Sequence, residues 1–316
     1  MPVAALRIAH VNLNCAELAR SKRFYEQALG LRAVVHTNPA PQDCSAFGLR
    51  EPGQWDAWML THADAASGGA LDLLEWLRPR PLPASAPGPG RLGLRALGFE
   101  VPDLAAARTR VGAAGGRAAA GQESARLAGA EPSPLCGAWD PDGAPLWLQQ
   151  GHAARLAFVE LCVSDLERSL AFYEEVLGLT ARSAKEMAQV SGACLDAQDP
   201  LSWTSVALVA PGDPEGFRVA LTRWDRPSSH GRAPGEPHRL GLYRMALLVA
   251  DLESCHAELR GLGVARLTAP TTLDLGPACP APHCRALFFA DPDGACLELI
   301  EIPSAPSLAT PLRARA

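Results

Sequence analysis

Polar and apolar residues in this chain alternate over short runs and then recur at helical spacing, and this change of period returns along the length of the sequence. Ile8 to Leu13 alternates with period two, as a half-buried strand should. Leu18, Ser21, Tyr25, Ala28 and Leu29 follow on one helical face, and Gly30 stands where a left-handed residue would end the helix. Three strand candidates come next, the last running from Ala70 to Trp76. A Pro-rich loop from Pro79 to Gly90 leads to a strand at Ala96–Val101 and a helix at Leu104–Val111, closed by Gly115-Gly116. A DPDG turn at Asp140 and a final strand complete the unit.

The same order then returns. Strands and helices are predicted at Leu156–Val163, Leu166–Leu177, Phe217–Trp224, Tyr243–Val249, Leu252–Leu262 and Ala295–Ile302, with a second Pro-rich loop from Arg226 to Pro237. Phe24-Tyr25 and Phe172-Tyr173, Gly30 and Gly178, Trp76 and Trp224, and Asp103 and Asp251 all lie 148 residues apart. The DPDG turns at Asp140 and Asp291 lie 151 apart, which a three-residue insertion explains. Such a repeat decides the architecture. Two homologous modules, 1–150 and 154–302, are expected, each made of two βαβββ units in an α+β fold. A short linker joins them, and residues 303–316 form a frayed tail.

A chain of 316 residues is long enough for two cored domains. Its formal charge of −5, without a basic run, argues against nucleic acid as a partner. The scarcity of lysine, only Lys22 and Lys185, amid abundant Ala, Gly, Pro and Arg suggests a GC-rich bacterial coding bias. Nine cysteines without framework spacing suggest reduced thiols. Together with the lack of a leader or an apolar run of membrane-spanning length, they make a soluble, cytoplasmic protein the expectation. Cys279-x4-Cys284 with His283 between lacks a second ligand pair for structural zinc. No phosphate loop, Ser–His–Asp order or dinucleotide fingerprint is present.

The helices FYEQALGL and FYEEVLGL after a strand, VPDL or VADL opening a second helix, and DPDG before a last strand resemble the vicinal oxygen chelate superfamily. This family includes glyoxalase I, extradiol dioxygenases and bleomycin-binding proteins. The resemblance implies tandem modules whose curled sheets form two incomplete-barrel clefts. It also implies that four positions converge in each cleft, commonly holding a divalent metal. Carried over, these positions are His10, Asp72, Ala96 and Trp147 in the first half, and Phe158, Ala220, Arg244 and Glu298 in the second. If each half closes on itself, neither has a metal set. If the halves exchange units, as the resemblance to glyoxalase I allows, one cleft collects His10, Asp72, Arg244 and Glu298, and the other collects the apolar four. The sorting of polar from apolar favours the exchanged arrangement.

On that arrangement His10, Asp72 and Glu298 are candidate ligands for Mn, Fe, Ni or Zn. Glu298 or Asp72 would also shuttle a proton, while Arg244 would bind a substrate carboxylate or phosphate. Asn12 shares the parity of His10 and is a further candidate contact. Strand parity puts Glu75 and Glu301 on the opposite faces from Asp72 and Glu298. Arg244 has a blander reading as the ion-pair partner of Glu298. Trp55, Trp58 and Phe47 could wall a pocket. The expected activity is metal-dependent isomerase-, lyase- or epimerase-type proton transfer on a small, oxygen-rich metabolite, by a monomer or homodimer. One alternative is a metal-free protein sequestering a drug or aromatic metabolite, favoured by the apolar cleft around Trp147 and Phe158. Another is a ring-cleaving dioxygenase-like enzyme, which lacks its usual two histidines here.

Overall fold

A computed structural model describes Val3 and residues 5–62, 69–85, 88–213 and 216–301. The tail expected at 303–316 lies outside the described residues. The first half runs β1 (Arg7–Asn14), α1 (Leu18–Leu29), β2 (Arg32–Thr37), β3 (Gln54–Thr61), β4 (Leu71–Arg78), β5 (Gly93–Val101) and α2 (Leu104–Ala113). It ends with the short strands β6 (Arg117–Ala118) and β7 (Glu123–Ala125), then β8 (Ser133–Trp139) and β9 (Pro145–Gln150). The second half repeats the order with β10 (Arg155–Cys162), α3 (Leu166–Ala171), β11 (Thr180–Ala181), β12 (Glu186–Val190), β13 (Leu201–Val209) and β14 (Arg218–Arg226). It closes with β15 (Gly241–Leu248), α4 (Leu252–Gly261), β16 (Thr271–Asp274), β17 (His283–Ala290) and β18 (Cys296–Glu301).

The halves exchange units. One eight-stranded sheet has the order β16-β17-β18-β15-β1-β4-β3-β2, and a ten-stranded sheet is built around β11-β13-β14-β10-β5-β9-β8-β6. At each seam the first strand of one half runs antiparallel to the strand that precedes the second helix of the other: β1 with β15, and β10 with β5. The fold is α+β, with two curled half-barrel sheets and helices packed outside them. One large core, including Tyr25, Phe99, Leu161, Tyr173 and Met245, spans both halves, and each sheet encloses its own smaller apolar cluster.

This places β1 differently from its sequence pattern. The alternation suggests one face in water, yet Ile8 and His10 to Asn14 are all buried. β1 is central, so its polar residues face the interior of the curled sheet while Val11 and Leu13 join the large core. The repeated motifs serve the same frame. Tyr25 donates its hydroxyl hydrogen to Asp140 at 3.1 Å, and Tyr173 donates to Asp291 at 3.1 Å. The other oxygen of Asp140 accepts the backbone N–H groups of Asp142 and Ala144, and that of Asp291 accepts those of Asp293 and Ala295. FYE and DPDG thus occur together because the tyrosine pins the helix to the turn.

Helix ends follow the local chemistry. Asp103, Asp165 and Asp251 accept N–H groups of the first turns of α2, α3 and α4. Gly30 ends α1 at φ 75°. The sequence predicts one helix over Leu166–Leu177, but Phe172–Val176 is a π-helical turn. Apolar spacing does not separate the two geometries, because both keep Tyr173 and Leu177 facing the core.

A candidate active cleft in the eight-stranded sheet

The curl of the eight-stranded sheet encloses a cavity of about 380 Å³. Its walls include Phe47, Trp55, Trp76, Leu273 and Ile300, and its polar residues include His10, Asp72, Arg244 and Glu298. Hydrogen bonds from Asn38 N to Leu275 O (3.1 Å) and from Gln42 Nε2 to Asp274 O (2.7 Å) tie together the loops beyond the two sheet edges. Trp58 stacks on His36 and is not part of the lining. Pairing across β1, β4, β15 and β18 brings the four polar residues together from positions up to 288 apart in the chain.

Arg244 organises them. Its Nε donates to Glu298 Oε2 at 2.7 Å and its Nη2 to Asp72 Oδ2 at 2.9 Å. Its Nη1 makes no hydrogen bond to a described residue. His10 Nε2 lies 3.7 Å from Glu298 Oε2 and 4.0 Å from Asp72 Oδ2, within ion-pair distance but beyond hydrogen-bond reach, and is buried without a hydrogen-bond partner. Burial would raise the Glu298 pKa, but the Arg244 charge, helped by His10, outweighs it and holds the carboxyl below its ordinary range. For Arg244, burial opposes the charge, while the two carboxylates push its pKa up. The cluster therefore holds two carboxylates against one guanidinium, and a proton on His10 would bring it to neutrality.

Asn12, expected as a substrate contact, sits behind Asp72 with no exposed surface. Its Nδ2 donates to Asp72 O at 3.2 Å and to Oδ2 at 3.1 Å, so it positions that carboxylate and does not reach the cavity. Glu75 and Glu301 do lie on the opposite faces. Glu75 accepts the Leu18 N–H at the start of α1, and Glu301 accepts the Leu252 N–H at the start of α4. Cys279, His283 and Cys284, from the loop and strand after β16, also line the cavity, a placement their sequence spacing does not disclose. Burial pushes the Cys284 thiol up to about 12, keeping it protonated.

A divalent ion does not fit these residues as they stand. The two oxygens nearest His10 are the ones Arg244 holds, and Asp72 Oδ2 already accepts from Asn12 as well. An ion shared by those oxygens and His10 would lie against a fixed guanidinium. Among the described residues, no group of three or more His, Cys, Asp or Glu side chains is arranged to hold a metal.

Among the described residues, the interior of the ten-stranded sheet is filled by apolar side chains. Trp147, Phe158 and Trp203 are fully buried inside it, next to Trp224. Glu160 accepts Trp147 Nε1–H at 2.6 Å and Trp224 Nε1–H at 2.8 Å, and is ion-paired to Arg95. Arg95 is the additional residue where β5 slips register against β10, which brings its side chain to Glu160. The expected binding cleft around Trp147 and Phe158 is therefore filled by those same side chains, and the argument for a ligand there fails.

Sequence-family and structural comparisons agree with this architecture. The family model described as Glyoxalase/Bleomycin resistance protein/Dioxygenase superfamily matches residues 7–147 and 154–299. Glyoxalase I from Zea mays superposes with a TM-score of 0.65 at 18% identity, covering 93% of this chain and 92% of that one. A putative dioxygenase from Bacillus subtilis subsp. subtilis str. 168 gives 0.59 at 13% identity, covering 96% and 87%. These likenesses concern the fold. No curated protein sequence matches. Two matches that together span most of the chain, on a fold of exchanged half-barrels, place it in a family: the chain belongs to the glyoxalase/bleomycin resistance protein/dioxygenase superfamily.

Proposed function

We propose that this protein is a metal-independent enzyme of the superfamily, with one working cleft that binds a small molecule and moves a proton on it. The observation that carries this reading is the buried Nε2 of His10, without a hydrogen bond but within 4.0 Å of two Arg-held carboxylates, at the polar end of an otherwise apolar cavity. Glu298, stabilised as its anion by Arg244, is a poor base, so the proton falls to His10. Asp72 and Glu298 orient the imidazole field and stabilise its protonated form. Arg244 would steady a substrate oxygen through Nη1 as charge develops. The expected isomerase-type proton transfer is kept, with the Arg244 guanidinium as the cation in place of the expected metal.

Deuterium wash-in next to the carbonyl of small aryl ketones, followed by NMR in D2O, tests this. Wild-type protein should speed exchange with or without a chelator, and His10→Ala should slow it by about 10²–10⁴-fold, the range of general acid–base catalysis. Exchange abolished by chelation and restored by Mn, Fe, Ni or Zn would reinstate the metal-dependent reading. The second reading, sequestration without turnover, draws on the apolar wall of Phe47, Trp55 and Trp76, and predicts binding with no exchange.

A further inference from the structure

Resting on the reading of this cavity as the ligand site, the geometry points to an uncharged ligand: an aromatic-sized apolar body carrying an acceptor oxygen, such as a ketone. The sequence suggests instead that Arg244 grips a carboxylate or phosphate. In the folded protein Arg244 already faces two carboxylates, through Nε to Glu298 and Nη2 to Asp72. Both are more than nine-tenths buried, as is Arg244 itself. A ligand anion would be a third negative group on one guanidinium, in an interior where charges are poorly screened.

The other basic residues of the lining do not change this. Arg7 and His283 are exposed at the cavity mouth, where water weakens their reach. His10 supplies one positive charge when protonated, and that charge is matched by the second carboxylate. What Arg244 still offers is the N–H of Nη1, which suits a neutral acceptor oxygen. The same N–H repels an ammonium head brought to that point. The walls of Trp55, Trp76 and Phe47 then take the apolar body.

Three probes of one shape separate the possibilities: 2-acetonaphthone, 2-naphthoate and 2-naphthylmethylammonium, compared by equilibrium dialysis at pH 7.5. The ketone should bind wild-type protein at least tenfold more tightly than either ion. Glu298→Gln, which removes one of the two negative charges, should shift the naphthoate-to-ketone affinity ratio at least fivefold toward naphthoate. Asp72→Asn should act in the same sense, and the wild-type ranking stands as the test if neither variant folds. Naphthoate or the ammonium binding as tightly as the ketone overturns the assignment while leaving the cleft a ligand site. Binding by none of the three overturns the cleft as a site, and this assignment with it.

Discussion

In the eight-stranded sheet His10 stands opposite Ala246, and at the matching place in the ten-stranded sheet Phe158 stands opposite Gly98. The frames are the same there, down to a Trp pair in each: Trp55 and Trp76 at 5.8 Å, Trp203 and Trp224 at 5.0 Å. The contents differ. Glu298 is matched by Trp147, Arg244 by Ala96 and Phe47 by Leu195. Phe158 lies over Gly98 and Leu195 against Gly137, so closely that a Cβ on either glycine would overlap them. Each interior keeps a buried ion pair, but one is wrapped by indole N–H groups and the other is left beside a cavity. A repeated fold can therefore carry one site and one plug with few changes. What distinguishes them is whether aromatic side chains or open space lie beside the central ion pair.

The largest expected effect comes from emptying the plug. Phe158→Ala should cost about 3–5 kcal/mol in urea unfolding, as for a large aromatic removed from a packed core. A loss below 1 kcal/mol would mean that the ten-stranded sheet is already loosely filled.

Next comes a property both halves share. Burial pushes Asp140 and Asp291 each to about 6, above the ordinary carboxylate value. The folded state then binds more protons than the unfolded chain between roughly pH 4 and 6. The stability these groups confer is full below that window and is lost as pH rises through it. Asp140→Asn and Asp291→Asn should each reduce that fall by on the order of 2–3 kcal/mol in unfolding measured across pH. Unequal effects would break the symmetry of the frame. Glu298 acts with the opposite sign, because Arg244 lowers its pKa: its contribution is present above the ordinary value and lost as pH falls through the lowered one.

Gly98→Ala should destabilise by about 1–3 kcal/mol through overpacking against Phe158, and should recover part of that loss in a Phe158→Ala background. The smallest stability effect belongs to the open cleft. His10→Ala should change unfolding by less than about 1 kcal/mol, because the imidazole Nε2 has no hydrogen bond to lose and borders existing space. If it destabilised as much as Phe158→Ala, His10 would be a packing residue and the contrast between the sheets would fail.

Much of this frame was legible in the chain. The 148-residue repeat, the Tyr and DPDG landmarks and strand parity identified the modules' elements and the faces of Glu75 and Glu301. The resemblance to the superfamily then picked out the eight cleft positions, four polar and four apolar. Repeat, landmarks and parity are local or periodic properties, and a strand or helix writes them into its own residues. Asn12 and Cys279 show where such reading stops: one shares the right parity yet lies behind Asp72, and the other reaches the cavity only through the path of a loop.

By itself, then, the sequence determined the repeated α+β frame and the faces of its strands, because period and parity follow from backbone geometry; which side chains could meet came from the family resemblance. Only the tertiary structure decided that the halves exchange units, that Trp147 and Phe158 plug their own cleft, and that Arg244 is held by two carboxylates. Charge pairing and filled volume depend on distances among strands far apart in the chain. Asp72, Arg244 and Glu298 carry no trace of those distances in their neighbours.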